Sequence, residues 1–412
     1  MRINKSNKIY YGILAVSLFV GLYLGEDTAG SGGYVVDFFK TFTLVENPFT
    51  DELTKYDIKF PLHYYIASLI YLILDDMNLL RITYCVIASI IPFMLYLCLK
   101  KKFKNIDINN LFLFSLILFL LPTFRSAAIW PNTQITAIFF FLITIYFYLD
   151  WENKKQFNKI NKELFLTILF MSLTVYTRQI FALVFFFFLF EFFIKMKIKI
   201  FIKTCFCIFL FSLPGFIFIY YWPKILQATF DVNLHNSLLV NASIISFYLI
   251  PFFLILEKFK IKKLIFNSKN FFIIISSSIF VGICSIFFDY NFNMGGGFFI
   301  KLSLLLFNNL SLFFITSIIG LYLLCVLSME NKMNILLSLI IMFSISAWII
   351  FQKYFEPMFI LLLFFFYRTE TTKLFLKSKL NICLFHSYFV VYLSSAIVNN
   401  VFQLTKNIKN LL

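Results

Sequence analysis

The stretch "RITYCVIASIIPFMLYLCLKKKFK", Arg81 to Lys104, decides the fold class. Between Ile82 and Leu99 it carries no charge, and a helix of that length reaches across a hydrocarbon core of about 30 Å. The run is continuous instead of alternating, so it reads as a helix and not as a barrel strand: a lipid-exposed backbone must satisfy its own hydrogen bonds, and a barrel strand would show period two. It stops abruptly on Lys100, Lys101, Lys102 and Lys104. Similar runs recur along the whole 412-residue chain, which is 61% hydrophobic and only 14% charged. Its mean hydropathy is +0.88, whereas a soluble domain has about a quarter of its residues charged. No soluble domain of ordinary size fits between the runs. The predicted fold is therefore all-α, a polytopic transmembrane helical bundle of about 12–13 spans forming a single transmembrane domain over residues 1–412.

A formal charge of +16 suggests nucleic acid only until its positions are read. The lysines cluster in alternate loops, at 100–104, 154–162, 195–199 and 258–263, with Arg368, Lys373 and Lys377 in another. That is the positive-inside pattern, and it predicts a multi-pass protein of the inner (plasma) membrane with a cytoplasmic N-terminus and no nucleic-acid partner. Met1 to Leu24 has the basic start and apolar core of a signal peptide but no small-residue cleavage site, so it reads as a retained first helix. The seven cysteines lie almost entirely inside apolar runs, where they pack as small apolar side chains; neither a disulfide framework nor a metal site is indicated.

On this reading the first span covers about residues 9–25 and runs outward, followed by a long outer loop over about 26–81. Inside that loop "FPLHYYIASLIYLIL" is short for a crossing and reads as an in-plane or re-entrant helix. The segment "PTFRSAAIWPNTQ", from Pro122 to Gln134, reads as a short outer loop between two further spans. No internal repeat is visible.

The acids are unevenly spread. Nine of the twenty lie between residues 26 and 76: Glu26, Asp27, Asp37, Glu46, Asp51, Glu52, Asp57, Asp75 and Asp76. For Glu46, Asp51 and Glu52, solvation of a loop and a place in a site weigh equally. Glu26 and Asp27 sit at the end of the first span, where reduced hydration raises a carboxylate pKa toward a general-base range. Isolated cations share the same predicted outer face: Lys59, Arg81, Arg125, Arg178, Lys301 and Lys353. Each alone reads as an interfacial snorkelling residue. Together, facing a carboxylate, they suit a phosphate-bearing lipid beside a proton acceptor. Gly30, Gly32 and Gly33 let the backbone turn tightly away from the acids, or form a merely flexible turn.

The order of these features resembles the GT-C superfamily of polyprenyl-phosphate-sugar glycosyltransferases, which includes the aminoarabinose transferases and the protein O-mannosyltransferases. The carrying residues are "GED" at Gly25–Asp27, "KFPLHYY" at Lys59–Tyr65 and "LLRITYCVIASI" at Leu79–Ile90. "TRQ" at Thr177–Gln179 and "QKYFEP" at Gln352–Pro357 look like later outer-loop motifs. The chain departs from the pattern in its Glu-Asp order, in Phe60 where the motif has Pro, and in the "GSGG" after the acids, which leaves open which carboxylate is the base.

The resemblance implies a catalytic module over residues 9–222, with more variable helices over 223–412, and an inverting transfer at the outer face for cell-envelope polysaccharide biosynthesis. Asp27 would be the general base, oriented by Glu26 or Asp37. Lys59, Arg81 and Arg178 would hold the donor phosphate, and His63 would add a hydrogen bond. The implied partners are a polyprenyl-phosphate sugar donor, membrane lipid, and a glycan, lipid or protein acceptor; no cofactor and no metal are expected. The alternative is a lipid-linked polysaccharide flippase, polymerase or ligase of the cell envelope. A transporter would show ionisable groups at mid-membrane. Glu191, the main acid inside a run, lies instead near Lys195 and the cytoplasmic end, where snorkelling or pairing is expected.

Overall fold

The computed structural model describes residues 3–28, 33–46, 60–221, 234–256, 268–290, 295–346 and 349–409. These form eighteen α-helices and, among the described residues, no strand. Six helices are long and apolar enough to cross a membrane: Met77–Lys102, Thr133–Lys154, Ile198–Tyr221, Leu234–Leu256, Ser311–Met329 and Lys379–Asn400. A seventh is added if Ile108–Leu120 and Pro122–Ile129, bent by 66° at their junction, form one broken span. Length and composition thus support about half of the expected 12–13. Several other expected spans exist as shorter helices. Lys162–Thr177 and Phe181–Lys195 have 16 and 15 residues, about 24 Å at 1.5 Å per residue, against a core of about 30 Å. Leu62–Leu74, expected to lie in the membrane plane, has 13 residues and is too short to cross.

Packing divides the chain into two units, residues 1–225 with 386–412, and residues 226–385. In the first, helix α1 (Lys5–Tyr23) is followed by α2 (Gly33–Glu46), α3 (Leu62–Leu74) and α4 (Met77–Lys102). Then come α5 (Ile108–Ser115), a 3₁₀ turn (Leu116–Leu120), α6 (Pro122–Ile129), α7 (Thr133–Lys154), α8 (Lys162–Thr177), α9 (Phe181–Lys195) and α10 (Ile198–Tyr221). The starts of these helices are written in the sequence. Asp76, Asp107, Asn132 and Asn161 each accept a backbone N–H of the first turn that follows, satisfying donors that have no intrahelical partner.

The segment expected as an outer loop is a correction. Pro122 to Ile129 is a helix whose eight residues are all buried. Pro122 disfavours the helical region for Leu121, which is extended at φ −85° and ψ 116°, so the preceding helix ends there. The same proline then serves as the first residue of α6, where its missing N–H has no consequence. The sequence sign of a loop was in fact the sign of a helix restart.

Glu191 is paired as expected. Its carboxylate, 1% exposed, lies 2.8 Å from Lys195 Nζ, which also reaches Glu152 at 2.5 Å. Tyr148 donates its hydroxyl to Glu191 at 3.3 Å.

The second unit contains α11 (Leu234–Leu256), α12 (Ser268–Ile286), α13 (Gly297–Phe307), α14 (Ser311–Met329), α15 (Lys332–Phe343), α16 (Met358–Phe365) and α17 (Glu370–Lys377). A last helix, α18 (Lys379–Lys409), begins in this unit and ends in the first. Helices α11 and α14 approach backbone to backbone. Ser317 donates to Leu239 O at 3.0 Å, Ser243 and Thr316 share a hydrogen bond of 3.0 Å, and a Cβ at Gly320 would collide with the carbonyl oxygen of Ala242. Small residues permit such an approach between apolar helices, and interhelical hydrogen bonds hold it. Gly320→Ala is therefore expected to push α11 and α14 apart and lower stability by about 1–3 kcal/mol, read as an earlier thermal unfolding in detergent. An unchanged unfolding curve would mean that the two helices do not touch there.

Gly295–Phe298 and the start of "QKYFEP", far apart in sequence, meet in this unit. Gly295, Gly296 and Gly297 have φ of 70°, 79° and 77°, a region closed to most side chains. The Tyr290 hydroxyl accepts N–H groups from Gly296 at 3.1 Å and Ile350 at 2.9 Å, and Gln352 Oε1 accepts from Phe298 at 2.8 Å.

Candidate functional site

The end of α1 is built by glycines. Gly25 has φ 66°, and it allows a C-terminal turn in which Glu26 N–H donates to Gly21 O at 2.8 Å and Gly25 N–H to Leu22 O at 3.2 Å. This turn folds Glu26 back along the helix. Its side chain lies over Gly21, where a Cβ would collide with Glu26 Oε2 and come within 3.0 Å of Arg125 Nη2.

Glu26 meets α6 there. Arg125 donates from Nε to Oε1 at 2.7 Å and from Nη2 to Oε2 at 2.6 Å, the two-pronged pairing that a planar guanidinium and a carboxylate make best. Two more of its five donors are used: Nη1 reaches Ser17 Oγ at 3.0 Å and Nη2 the Ser17 carbonyl at 2.9 Å. The side chains of Arg125 and Glu26 are 4% and 10% exposed. Arg125 is therefore no snorkelling residue, since four of its five donors are spent inside the protein.

Asp27 points elsewhere. It is 3% exposed, and its Oδ2 accepts the N–H groups of Tyr34 and Val35 at 3.0 Å each. These are the second and third residues of α2, whose free donors and positive dipole end favour an anion. On its other side Thr28 is fixed to α6: its N–H donates to Ser126 Oγ at 2.8 Å and its hydroxyl to Pro122 O at 2.7 Å. Residues 26 and 28 are both bolted to α6, with Asp27 between them.

Arg81 reaches the far end of the same short helix. Its Nε donates to Ile129 O at 3.1 Å, and its guanidinium stacks on the Trp130 ring at 3.8 Å. The Trp130 indole N–H in turn donates to Glu26 O at 3.1 Å, and Phe38 and Phe39 of α2 each place a ring 5.9 Å from the Trp130 ring. Arg81 Nη2 is buried and has no hydrogen-bond partner among the described residues. A buried guanidinium nitrogen left without an acceptor is a donor waiting for an anion.

The other expected residues stand around this cluster. Tyr34 donates its hydroxyl to Gln134 Oε1 at 2.6 Å, tying α2 to α7. His63, 1% exposed, shares a 2.9 Å hydrogen bond with Thr136 and packs edge-on against Tyr64 and Tyr84, so it acts as a packing residue between α3, α4 and α7. Phe60, where the motif has proline, is buried against Tyr176 and Phe218. Asp37 is half-buried on the second turn of α2, and Arg178 closes α8, its N–H donating to Thr174 O at 2.9 Å. Lys59, Gly30 and Gly32 lie outside the described residues.

Sequence reasoning missed Ser17, Gly21, Ser126 and Trp130. One signal was present: Ser17 and Gly21, four apart, place two small residues on one face of α1 and open room for a large partner. No family model, no curated protein and no solved structure matches this chain.

Proposed function

We propose that the chain is a membrane glycosyltransferase of the GT-C type, transferring a sugar from a polyprenyl-phosphate donor to an acceptor hydroxyl at the outer face of the inner membrane. The N-terminus would be cytoplasmic, and the first outer loop would carry α2 and α3 as in-plane helices. The observation that carries the reading is Arg81: a half-buried guanidinium with a nitrogen that has no partner among the described residues, held on the same nine-residue stretch that fixes the two neighbours of Asp27. A guanidinium nitrogen open to an anion, held by the stretch that also fixes both neighbours of a carboxylate, suits transfer from a lipid phosphate.

In the proposed step the acceptor oxygen attacks the anomeric carbon from the face opposite the phosphate, with inversion. Its proton passes to the Asp27 carboxylate. The bond between the anomeric carbon and the phosphate oxygen breaks, its electron pair stays on that oxygen, and the lipid phosphate leaves as a dianion. Arg81, with Arg178 and Lys59, offsets the charge that develops there. Glu26 takes no proton in this scheme, because Arg125 holds both its oxygens. Asp37 remains on α2 as a second carboxylate, and His63 holds α3, α4 and α7 together through Thr136 and Tyr84.

The full-length protein, purified with an undecaprenyl-phosphate sugar and an acceptor, is expected to produce transferred sugar and free undecaprenyl phosphate. Arg81→Ala should weaken donor binding about 10- to 100-fold, the range of charge-assisted hydrogen bonds. Lys40→Ala, an exposed cation on α2, should not. Equal losses would remove Arg81 from the phosphate site, and movement of the lipid-linked sugar across vesicles without transfer would favour a flippase.

A further inference from the structure

We infer that α6 with Trp130 is a rigid gauge that sets the spacing between Asp27 and Arg81, and that Arg125, Ser126 and Trp130 are positioning residues for the transfer; the inference rests on the glycosyltransferase reading of the site. One end of this stretch holds the acid. Arg125 grips Glu26, and Ser126 and Pro122 grip Thr28, so the residue between has its backbone fixed from both sides. The other end holds the cation, through Ile129 O and the Trp130 ring. The two ends are joined by a third bond, from the Trp130 indole to the Glu26 carbonyl.

The stretch is suited to this task. A short helix that starts on a proline and is buried over its whole length has little freedom to tilt. Groups on it keep their separation as lipid, donor and acceptor come and go. Catalysis by a base and a phosphate-gripping cation depends on that separation, since a displacement of about 1 Å costs about 100-fold in rate. None of the three positioning residues needs to touch the substrate. Arg125 in particular already spends four of its five donors on Glu26 and Ser17.

The division of labour makes the inference testable by separating kcat from the donor KM in the full-length purified protein, with unfolding curves and monodispersity as folding controls. Arg125→Gln is expected to lower kcat about 100-fold while donor KM moves less than about 3-fold. Arg125→Lys should restore only part of the rate, because an ammonium cannot bridge both carboxylate oxygens. Trp130→Ala should raise donor KM about 10-fold through Arg81, whereas Trp130→Phe, which keeps a ring under the guanidinium, should stay near wild type in KM. If Arg125→Gln fails to fold, Ser126→Ala carries the test, with kcat down about 10-fold and KM unmoved. Variants that lower kcat and raise KM together, in step with loss of folded protein, would show a purely structural role and overturn the inference. So would unchanged kcat in Arg125→Gln or Ser126→Ala. A wild-type protein that transfers no sugar would sink the glycosyltransferase reading itself, a different result from a wild type that transfers sugar and positioning variants that match it.

Discussion

Asp27→Asn is expected to leave the protein folded and stop transfer, whereas Asp27→Ala should damage both. The reason lies in the two tasks one carboxylate carries. Its Oδ2 accepts the Tyr34 and Val35 N–H groups, and an asparagine amide oxygen can occupy the same place and accept the same bonds. What asparagine loses at the end of α2 is the attraction of a full charge for the helix N-terminus, about 0.3–1 kcal/mol. What it loses in chemistry is the base. Positioned general bases contribute about 10²- to 10⁴-fold, and an amide has no comparable basicity, so transfer should fall by that order with the unfolding midpoint nearly unmoved. Alanine removes the acceptor altogether and leaves two buried donors unsatisfied at the start of α2, which costs about 1–3 kcal/mol. Parallel measurement of transfer rate and unfolding decides the matter. Wild-type transfer by Asp27→Asn would end the base assignment; equal destabilisation by Asn and Ala would end the capping argument.

The class of this protein is legible because lipid imposes a rule on every residue of a span, and Ile82 to Leu99 obeys it without help from anything distant. The helix starts are legible for a similar reason: Asp76, Asp107, Asn132 and Asn161 act on N–H groups two or three residues away. The number of spans is less so. A hydropathy run does not reveal whether its helix continues unbroken, and at Leu121 it does not.

The candidate site was legible in its charges and not in its partners. Glu26, Asp27 and Arg81 stand out as ionisable groups at the ends of apolar runs. That Glu26 belongs to Arg125, 99 residues away, follows no local pattern, and an arginine among Pro, Ser and Thr looks like a loop residue. The consequence is an exchange of roles. Arg125, expected at the lipid surface, is the most fully bonded cation of the site, and Arg81 is the one with a nitrogen to spare. His63, a residue type rich in chemical uses, stands between aromatic rings and on Thr136, surroundings that no local pattern in the sequence announces.

Breaking the Glu26–Arg125 pair from one side should be the largest single loss of stability in the first unit. With Glu26→Ala the guanidinium of Arg125, 4% exposed, keeps its charge and two hydrogen bonds to Ser17 but loses the only carboxylate it touches. Leaving one partner of a buried ion pair uncompensated costs about 3–5 kcal/mol, more than the pair contributed in the first place, because the attraction between the two charges mainly offsets the cost of removing both from water. Replacing both partners by apolar side chains of similar volume, as in Glu26→Leu with Arg125→Met, removes that cost along with the attraction. The double variant should therefore unfold near the wild-type midpoint or above it, since such replacements are often neutral or stabilising. Its transfer rate should stay low, because no bond from Arg125 any longer fixes the backbone on one side of Asp27. Stability and rate part company only if the pair exists to hold a geometry. A double variant that recovers both would reduce Glu26 and Arg125 to packing, and one that recovers neither would show that Ser17 and Gly21 cannot close around apolar side chains.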